Sequence, residues 1–280
     1  MLRKGIALAT LGLALTAGPA LGAGDPKPPK HHTFSFEGPL GKFDPAQLQR
    51  GYKVYREVCA ACHGMTLLSF RNLGEKGGPF YDPDYPNPND NPYVKALAAE
   101  IQINDIDSET GDPIQRPGIP ADRFPSPFPN EAAARASNGG AYPPDLSVIT
   151  KARHEGPQYV YSLLSGYVNP PAGLTVPAGQ YYNPYFPGDL AAYWTGKGHA
   201  PKGGLLAMPP QLADNKVTFD DGTRSTIDQQ AKDVAAFLAW AAEPKMQERK
   251  QFGLAAMIYL LLLTILLWFS YKRVWRNVAH

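Results

Sequence analysis

Cys59-Ala60-Ala61-Cys62-His63 is the stretch on which the fold of this chain turns. Cys-x-x-Cys-His is the spacing at which two thiols attach to the vinyl groups on one edge of a haem while the next imidazole lies beneath the iron. Both cysteines of the 280-residue chain fall inside it. Two other chemistries use paired cysteines. A thioredoxin-like couple sits in a strand-turn-helix context and has no need of His63, and a structural zinc site requires further ligands that this sequence does not pair with the motif. The motif therefore predicts one covalently bound haem c, held by Cys59 and Cys62, with His63 as an axial ligand of the iron.

Toward the amino terminus, Met1-Leu2-Arg3-Lys4 is followed by an apolar run from Ile6 to about Ala17 and by small residues at Ala20, Gly22 and Ala23. That order reads as a secretory signal peptide over residues 1–23, with the mature chain starting near Gly24 or Asp25. The alternative, an uncleaved membrane anchor, fits less well because the apolar core is short. Export leaves no cysteine for a structural disulfide, so the fold must rest on packing and on the cofactor.

Toward the other end, Phe252 to Tyr271 is twenty residues without a charge. At about 1.5 Å per residue such a helix spans about 30 Å, the thickness of one hydrocarbon core. Lys272, Arg273 and Arg276 follow it and suit a cytoplasmic flank, but Lys245, Arg249 and Lys250 precede it, so charge asymmetry alone leaves orientation open. An exported amino terminus settles it. Residues 24–250 are then periplasmic, 251–272 span the bilayer once, and 273–280 form a cytoplasmic tail.

Removing Arg3 and Lys4 with the leader and three cations with the tail turns the formal charge of +2 into −3 over the exported part. Its acids cluster: Asp82, Asp84, Asp90, Glu100, Asp105, Asp107, Glu109 and Asp112 stand against Lys95 alone. Such a run is either a solvated acidic loop or a docking surface for a basic partner. Nothing in the composition suggests nucleic acid.

The exported part is large for one haem, and prolines mark the excess as loop: residues 77–129 and 169–204 are irregular, without repeats. Helix starts can be placed elsewhere. Asp44-Pro45 offers a cap with proline at the first helical position, and Leu48, Tyr52, Tyr55 and Val58 keep one face apolar up to the haem motif. Further starts lie at Asn91-Pro92, at Asn130 (ending at Asn138-Gly139-Gly140), and at Gly156-Pro157 (ending near Gly166), where His154 suits a capping role. Thr226 with Gln229 reads as a capping box, opening a helix that carries Val234, Phe237, Leu238 and Trp240 until Pro244 interrupts. No convincing alternating strand appears, though the long loops leave room for short hairpins. The class is mainly α, with long irregular loops and one carboxyl-terminal transmembrane helix.

The occupant of the sixth iron position separates an electron carrier from a ligand-binding haem. Met65 is too close in sequence to His63 to reach the opposite face, Met246 and Met257 lie beside or within the membrane span, and Met1 leaves with the leader. Met208 remains, in Leu205-Leu206-Ala207-Met208-Pro209-Pro210, where two prolines hold the chain extended and remove two N–H donors. The other readings are Met208 as core filler, with His199 or His154 as ligand. His199 sits in a glycine-rich, solvent-suited loop and His154 just before a helix.

The segments Asn138-Gly139-Gly140-Ala141-Tyr142-Pro143-Pro144-Asp145-Leu146-Ser147, Ala152-Arg153-His154, Tyr182-Asn183-Pro184-Tyr185-Phe186-Pro187-Gly188 and Ala239-Trp240-Ala241-Ala242-Glu243-Pro244 follow the haem motif in order. Together they resemble the cytochrome c1 family, the haem subunits of cytochrome bc1 complexes, from about residue 40 to the membrane span. The resemblance implies an enlarged cytochrome c fold anchored beside cytochrome b, in a dimeric complex of a bacterial cytoplasmic (inner) membrane. It implies electron transfer from the Rieske iron-sulfur protein to a soluble or tethered cytochrome c. It implies axial ligation by His63 and Met208, with Asn138, Ala141, Pro143, Pro144, Tyr159, Leu163, Leu164 and Phe186 around the haem. Arg153, and with less support Arg71, would face a propionate. The quinol chemistry belongs to cytochrome b, so no residue here is expected to be catalytic. Asp189 to Gly204 looks like an insertion, and the chain lacks the extra cysteine pair of some bacterial members. Bracing would then fall to the aromatic cluster Tyr181, Tyr182, Tyr185, Phe186, Tyr193 and Trp194. The rival readings are an independent membrane-tethered shuttle or oxidase haem subunit, and a haem enzyme or sensor with an open iron.

Overall fold

Asp44 caps the first helix by accepting a hydrogen bond from the Ala46 amide at 3.0 Å, and Pro45 stands at the first helical position, where no N–H is needed. In the computed structural model, which describes residues 26–278, this helix α1 runs Pro45–Val54 and continues into a π-helical turn, Tyr55–Cys59. The other helices are α2 (Pro92–Ala99), α3 (Glu131–Ser137), α4 (Gly156–Leu164), α5 (Ile227–Ala242) and α6 (Met246–Val274). The proposed leader lies outside the described residues. Two short antiparallel hairpins occupy the long loops: β1 (Gln102–Ile106) with β2 (Pro113–Pro117), and β3 (Tyr181–Asn183) with β4 (Gly204–Leu206). The mainly α class holds.

Helix α5 packs across α1 and beside α4, and this trio encloses the core. Phe237 sits at the crossing, with ring centroids 5.7 Å from Tyr52, 5.8 Å from Tyr55 and 5.5 Å from Trp240. Full burial of a side chain of this size contributes about 3 kcal/mol. Close approach requires Gly51, since a Cβ there would lie 2.1 Å from the Asp233 carbonyl oxygen.

Beside Gly51, Arg50 forks onto the buried Asp233 carboxylate, with Nε donating at 2.8 Å and Nη2 at 3.3 Å, and Nη1 reaches Asp221 at 2.6 Å. Gln229 donates its amide to Asp233 at 2.8 Å. This corrects the expected capping box: Thr226 accepts from the Gln229 amide N–H at 3.1 Å, but the Gln229 side chain turns to Asp233 instead of closing the box. Arg50→Ala would strand a buried carboxylate. It is expected to cost about 3 kcal/mol, whereas breaking the exposed Lys53–Asp220 pair with Lys53→Ala should cost about 0.5 kcal/mol. Thermal unfolding of the purified protein checks both, and equal effects would refute the distinction.

Two local expectations are also corrected. His154 does not cap α4: its side chain is 93% exposed beside Glu155, and Glu155 itself, in the left-handed region at φ 63°, is the N-cap. The aromatic residues around 181–194 do not form one brace. Tyr182, Leu174 and Leu190 form a small second core with Trp194 against it, while Tyr181 and Tyr193 face solvent. The N-terminal segment adds bracing there, because Lys30 Nζ donates to Ser165 and lies 5.6 Å from the Tyr185 ring centroid.

Helix α6 is apolar on all sides and long enough to cross a bilayer, with a mean hydropathy of 2.4 over its most apolar window. Its first turn is tied to the globular part. Met246 is buried, Lys245 pairs with Glu75 at 3.0 Å, and Lys250 Nζ donates to the carbonyls of Phe36 and Gly38 at 2.7 Å and of Gly41 at 3.4 Å.

Candidate functional site

The π-turn Tyr55–Cys59 brings the haem motif off the end of α1, with the Ala60 amide donating to the Tyr55 carbonyl at 2.8 Å. The extra residue in the turn sets Cys59 against the core while Cys62 is exposed. Burial, with Cys62 adding, pushes the Cys59 thiol up to about 12. The motif follows a helix and a π-turn with no strand before it, so the strand-turn-helix context of a thioredoxin-like couple is missing. Among the described residues no group of three or more His, Cys, Asp or Glu side chains is placed to hold a metal ion.

His63 is half-buried, and its Nδ1 lies 2.7 Å from the Pro144 carbonyl oxygen. A carbonyl only accepts, so Nδ1 carries the proton and Nε2 keeps its lone pair for a metal. Burial lowers the imidazole below its usual value, against the opposing pull of the Pro144 carbonyl and Asp145, and so favours this neutral form. Tyr55 Oη donates to the His63 carbonyl at 3.3 Å. The donor set fits a haem c: two thiols, a neutral imidazole fixed in one tautomer, and an apolar wall.

Asp145 holds this arrangement together. Its carboxylate accepts from the Thr66 amide and hydroxyl, both at 2.9 Å, and from the Ser147 amide at 2.8 Å, while the Leu146 amide donates to the Gly64 carbonyl at 2.9 Å. Burial resists ionisation of Asp145, but the bonds from Ser147 and Thr66 outweigh it and hold its carboxyl below the usual range. The chain after the haem motif is thereby laced to the chain after Pro144. Asp145 carries no local signal in the sequence, because its Thr66 partner lies 79 positions away.

Other residues expected around a haem lie on α4 and the second hairpin. Tyr159 is buried, and burial raises its phenol while the nearby positive charge of the exposed Arg153 opposes that. Leu163 and Leu164 pack against the same core as Cys59. Asn183, fully buried, donates its side-chain amide to the Leu163 carbonyl at 2.8 Å, and its own carbonyl accepts from the Phe186 amide at 3.2 Å, so Phe186 is fastened to α4. Met208 is half-buried two residues beyond β4, and its carbonyl accepts from Tyr167 Oη at 2.8 Å. Met65 is buried in the core, and His199 is exposed.

Asn138 closes α3, donating to the Ala134 carbonyl at 2.7 Å, and Ala141 donates back to Asn138 at 3.1 Å; this turn leads directly into Pro143 and Pro144. Arg71 stands apart from this group: it is exposed in the short 3-10 turn Phe70–Gly74, with its amide donating to the Pro120 carbonyl at 2.6 Å.

The acidic cluster is partly neutralised. Arg116 bridges Asp105 and Asp122 at 2.6 and 2.7 Å, Arg56 pairs with Glu100, and Lys95 lies 3.8 Å from Asp90. Asp82, Asp84, Asp107, Glu109 and Asp112 remain as the acidic surface.

A model of the Cytochrome C1 family matches residues 34–278. Cytochrome c1 of Rhodospirillum rubrum is 40% identical over 98% of this chain and 97% of its own length. A mitochondrial cytochrome c1 heme protein of Arabidopsis thaliana is 45% identical over 87% of this chain and 70% of its own. Cytochrome b/c1 of Bradyrhizobium diazoefficiens is 44% identical over 98% of this chain, which spans only 41% of that longer protein. With the haem motif, its oriented imidazole and the apolar carboxyl-terminal helix all inside the matched span, the chain belongs to the Cytochrome C1 family.

Proposed function

We propose that this chain is the membrane-anchored haem c subunit of a quinol:cytochrome c oxidoreductase, a cytochrome bc1 complex. In this reading it passes single electrons from a Rieske iron-sulfur protein to a soluble or tethered cytochrome c. The observation that carries the reading is the His63 imidazole, held by the Pro144 carbonyl with Nε2 left as a ligand, directly beside two cysteines in a chain that ends in a membrane-length helix. When bound, haem c supplies reversible one-electron chemistry. Cys59 and Cys62 would hold it covalently, with His63 and Met208 as axial ligands. Tyr159, Leu163, Leu164 and Phe186 exclude water on one side, and Asn138, Ala141, Pro143 and Pro144 shape the other. Arg153 suits a propionate because a guanidinium keeps its charge and forks onto a carboxylate; Arg71 would be peripheral.

The leader at 1–23, a periplasmic body to residue 250, a span at 251–272 and a cytoplasmic tail belong to the same proposal. So does cytochrome b beside α6 in a dimeric complex, with the quinol chemistry carried by that partner. Solubilising membranes in mild detergent and purifying this chain by a tag tests it. A b-type cytochrome and a Rieske protein in equal amounts, with quinol:cytochrome c reductase activity, are the expected result. A haem c protein purified alone would replace the proposal by a tethered shuttle.

If Asp82, Asp84, Asp107, Glu109 and Asp112, which form no ion pair among the described residues, guide a basic cytochrome c, raising ionic strength from about 0.01 to 0.15 M, which shortens the screening length from about 30 to 8 Å, should slow reduction of that partner at least tenfold. Stopped-flow rates measure this, and a rate insensitive to salt would leave the acids as a solvated loop.

A further inference from the structure

The loop that carries Met208 has few means of holding itself. Strand β4 ends at Leu206, and Pro209 and Pro210 follow with no N–H to donate. A cavity of about 600 Å³ adjoins it, lined by Leu164, Tyr167, Tyr181, Pro210 and Leu212 among others, so packing does not confine the loop on that side. The bond from another element that reaches Met208 itself is the one from Tyr167 Oη to its carbonyl, at 2.8 Å. Tyr167 is placed by the end of α4. The chain leaves that helix through Gly166, where a Cβ would lie 2.3 Å from the Ser162 carbonyl oxygen and 2.4 Å from the Tyr185 ring, so no larger residue could bring Tyr167 in at this angle.

We infer that Tyr167 is a positioning residue for the thioether ligand: its hydroxyl tethers the Met208 carbonyl and thereby holds the loop where the sulfur can stay on iron. The inference rests on the reading of Met208 as ligand. A phenol bonded to a backbone carbonyl fixes the chain without touching the sulfur, so it sets how often the ligand detaches rather than what the ligand is.

The test uses the purified haem-containing complex and two readouts: the far-red sulfur-to-iron charge-transfer band of the ferric haem, and carbon monoxide binding to the ferrous haem. Tyr167→Phe should keep the haem covalently attached while the methionine-detached fraction, read as the rate of carbon monoxide binding, rises about tenfold, the weight of one buried hydrogen bond. Tyr182→Phe deletes a matched bond, from a phenol to the Lys202 carbonyl at 2.7 Å in the neighbouring hairpin, and should leave both readouts at parent values. Parent-like carbon monoxide binding in Tyr167→Phe, or an equal rise in Tyr182→Phe, would overturn the inference. Met208→Ala separates this from the underlying reading: if the charge-transfer band survives in Met208→Ala, Met208 is not the ligand, whereas a band lost there but untouched by Tyr167→Phe rejects only the tether. If Tyr167→Phe does not accumulate, Tyr167→para-aminophenylalanine returns a donor at the same reach. Its accumulation with the parent band supports the tether, and its failure shows that ring shape, not the bond, is what the site needs.

Discussion

Met208→Lys is expected to lower the reduction potential of the bound haem by on the order of 0.2 V, about a quarter of the roughly 0.8 V that axial ligands command. A thioether in an apolar setting favours ferrous iron, and a hard amine in its place favours ferric. At about 2.3 kcal/mol per 100 mV, a fall of this size shifts each electron-transfer equilibrium by roughly three orders of magnitude. In the proposed complex, quinol oxidation would then stall although the haem remained attached. Redox titration of the purified complex measures the shift, and a potential within error of the parent would remove Met208 from the iron.

Gly51→Val should abolish accumulation of haem-containing protein. The valine Cβ would stand 2.1 Å from the Asp233 carbonyl oxygen and 2.6 Å from Phe237 Cβ, and neither is the far end of a flexible side chain. Helices α1 and α5 would have to separate, opening the core around Phe237 and pulling apart Arg50 and Asp233. Overpacking in a core that can adjust costs about 1–3 kcal/mol, and a backbone that cannot adjust should exceed that. Haem staining of membranes reads the result. Parent levels of haem protein from Gly51→Val would mean that the two helices part without consequence.

Helix starts were legible because capping chemistry is local. Asp44, Asn91, Asn130 and Thr226 each cap the helix that follows, through a side chain that accepts from amides no more than three residues on. What was not legible depends on groups brought together across the chain. The Gln229 side chain left its local option for Asp233 because Asp233 is buried beside Arg50, a residue 183 positions away from it. The strands of hairpin β3–β4 lie within and at the end of the stretch 169–204 that reads as irregular, too short and too far apart for alternation to signal them. In the site, the Cys-x-x-Cys-His motif announces itself by spacing, whereas Asp145, Tyr167 and Asn183 act by bonding to backbone that is distant in sequence. A residue whose partner is a main-chain carbonyl leaves no mark on the partner's identity, so no reading of side chains alone could have found it.

Lys250, seated among three main-chain carbonyls at the foot of α6, has a mechanical meaning. Together with buried Met246 it makes the membrane helix an extension of the globular body rather than a leash on it. Rocking the body against the helix would require breaking these bonds from the half-buried Lys250 ammonium. In the proposed complex, a haem carried on such a post would hold one orientation toward the helix, so any long excursion of electrons would fall to the partners that deliver or collect them.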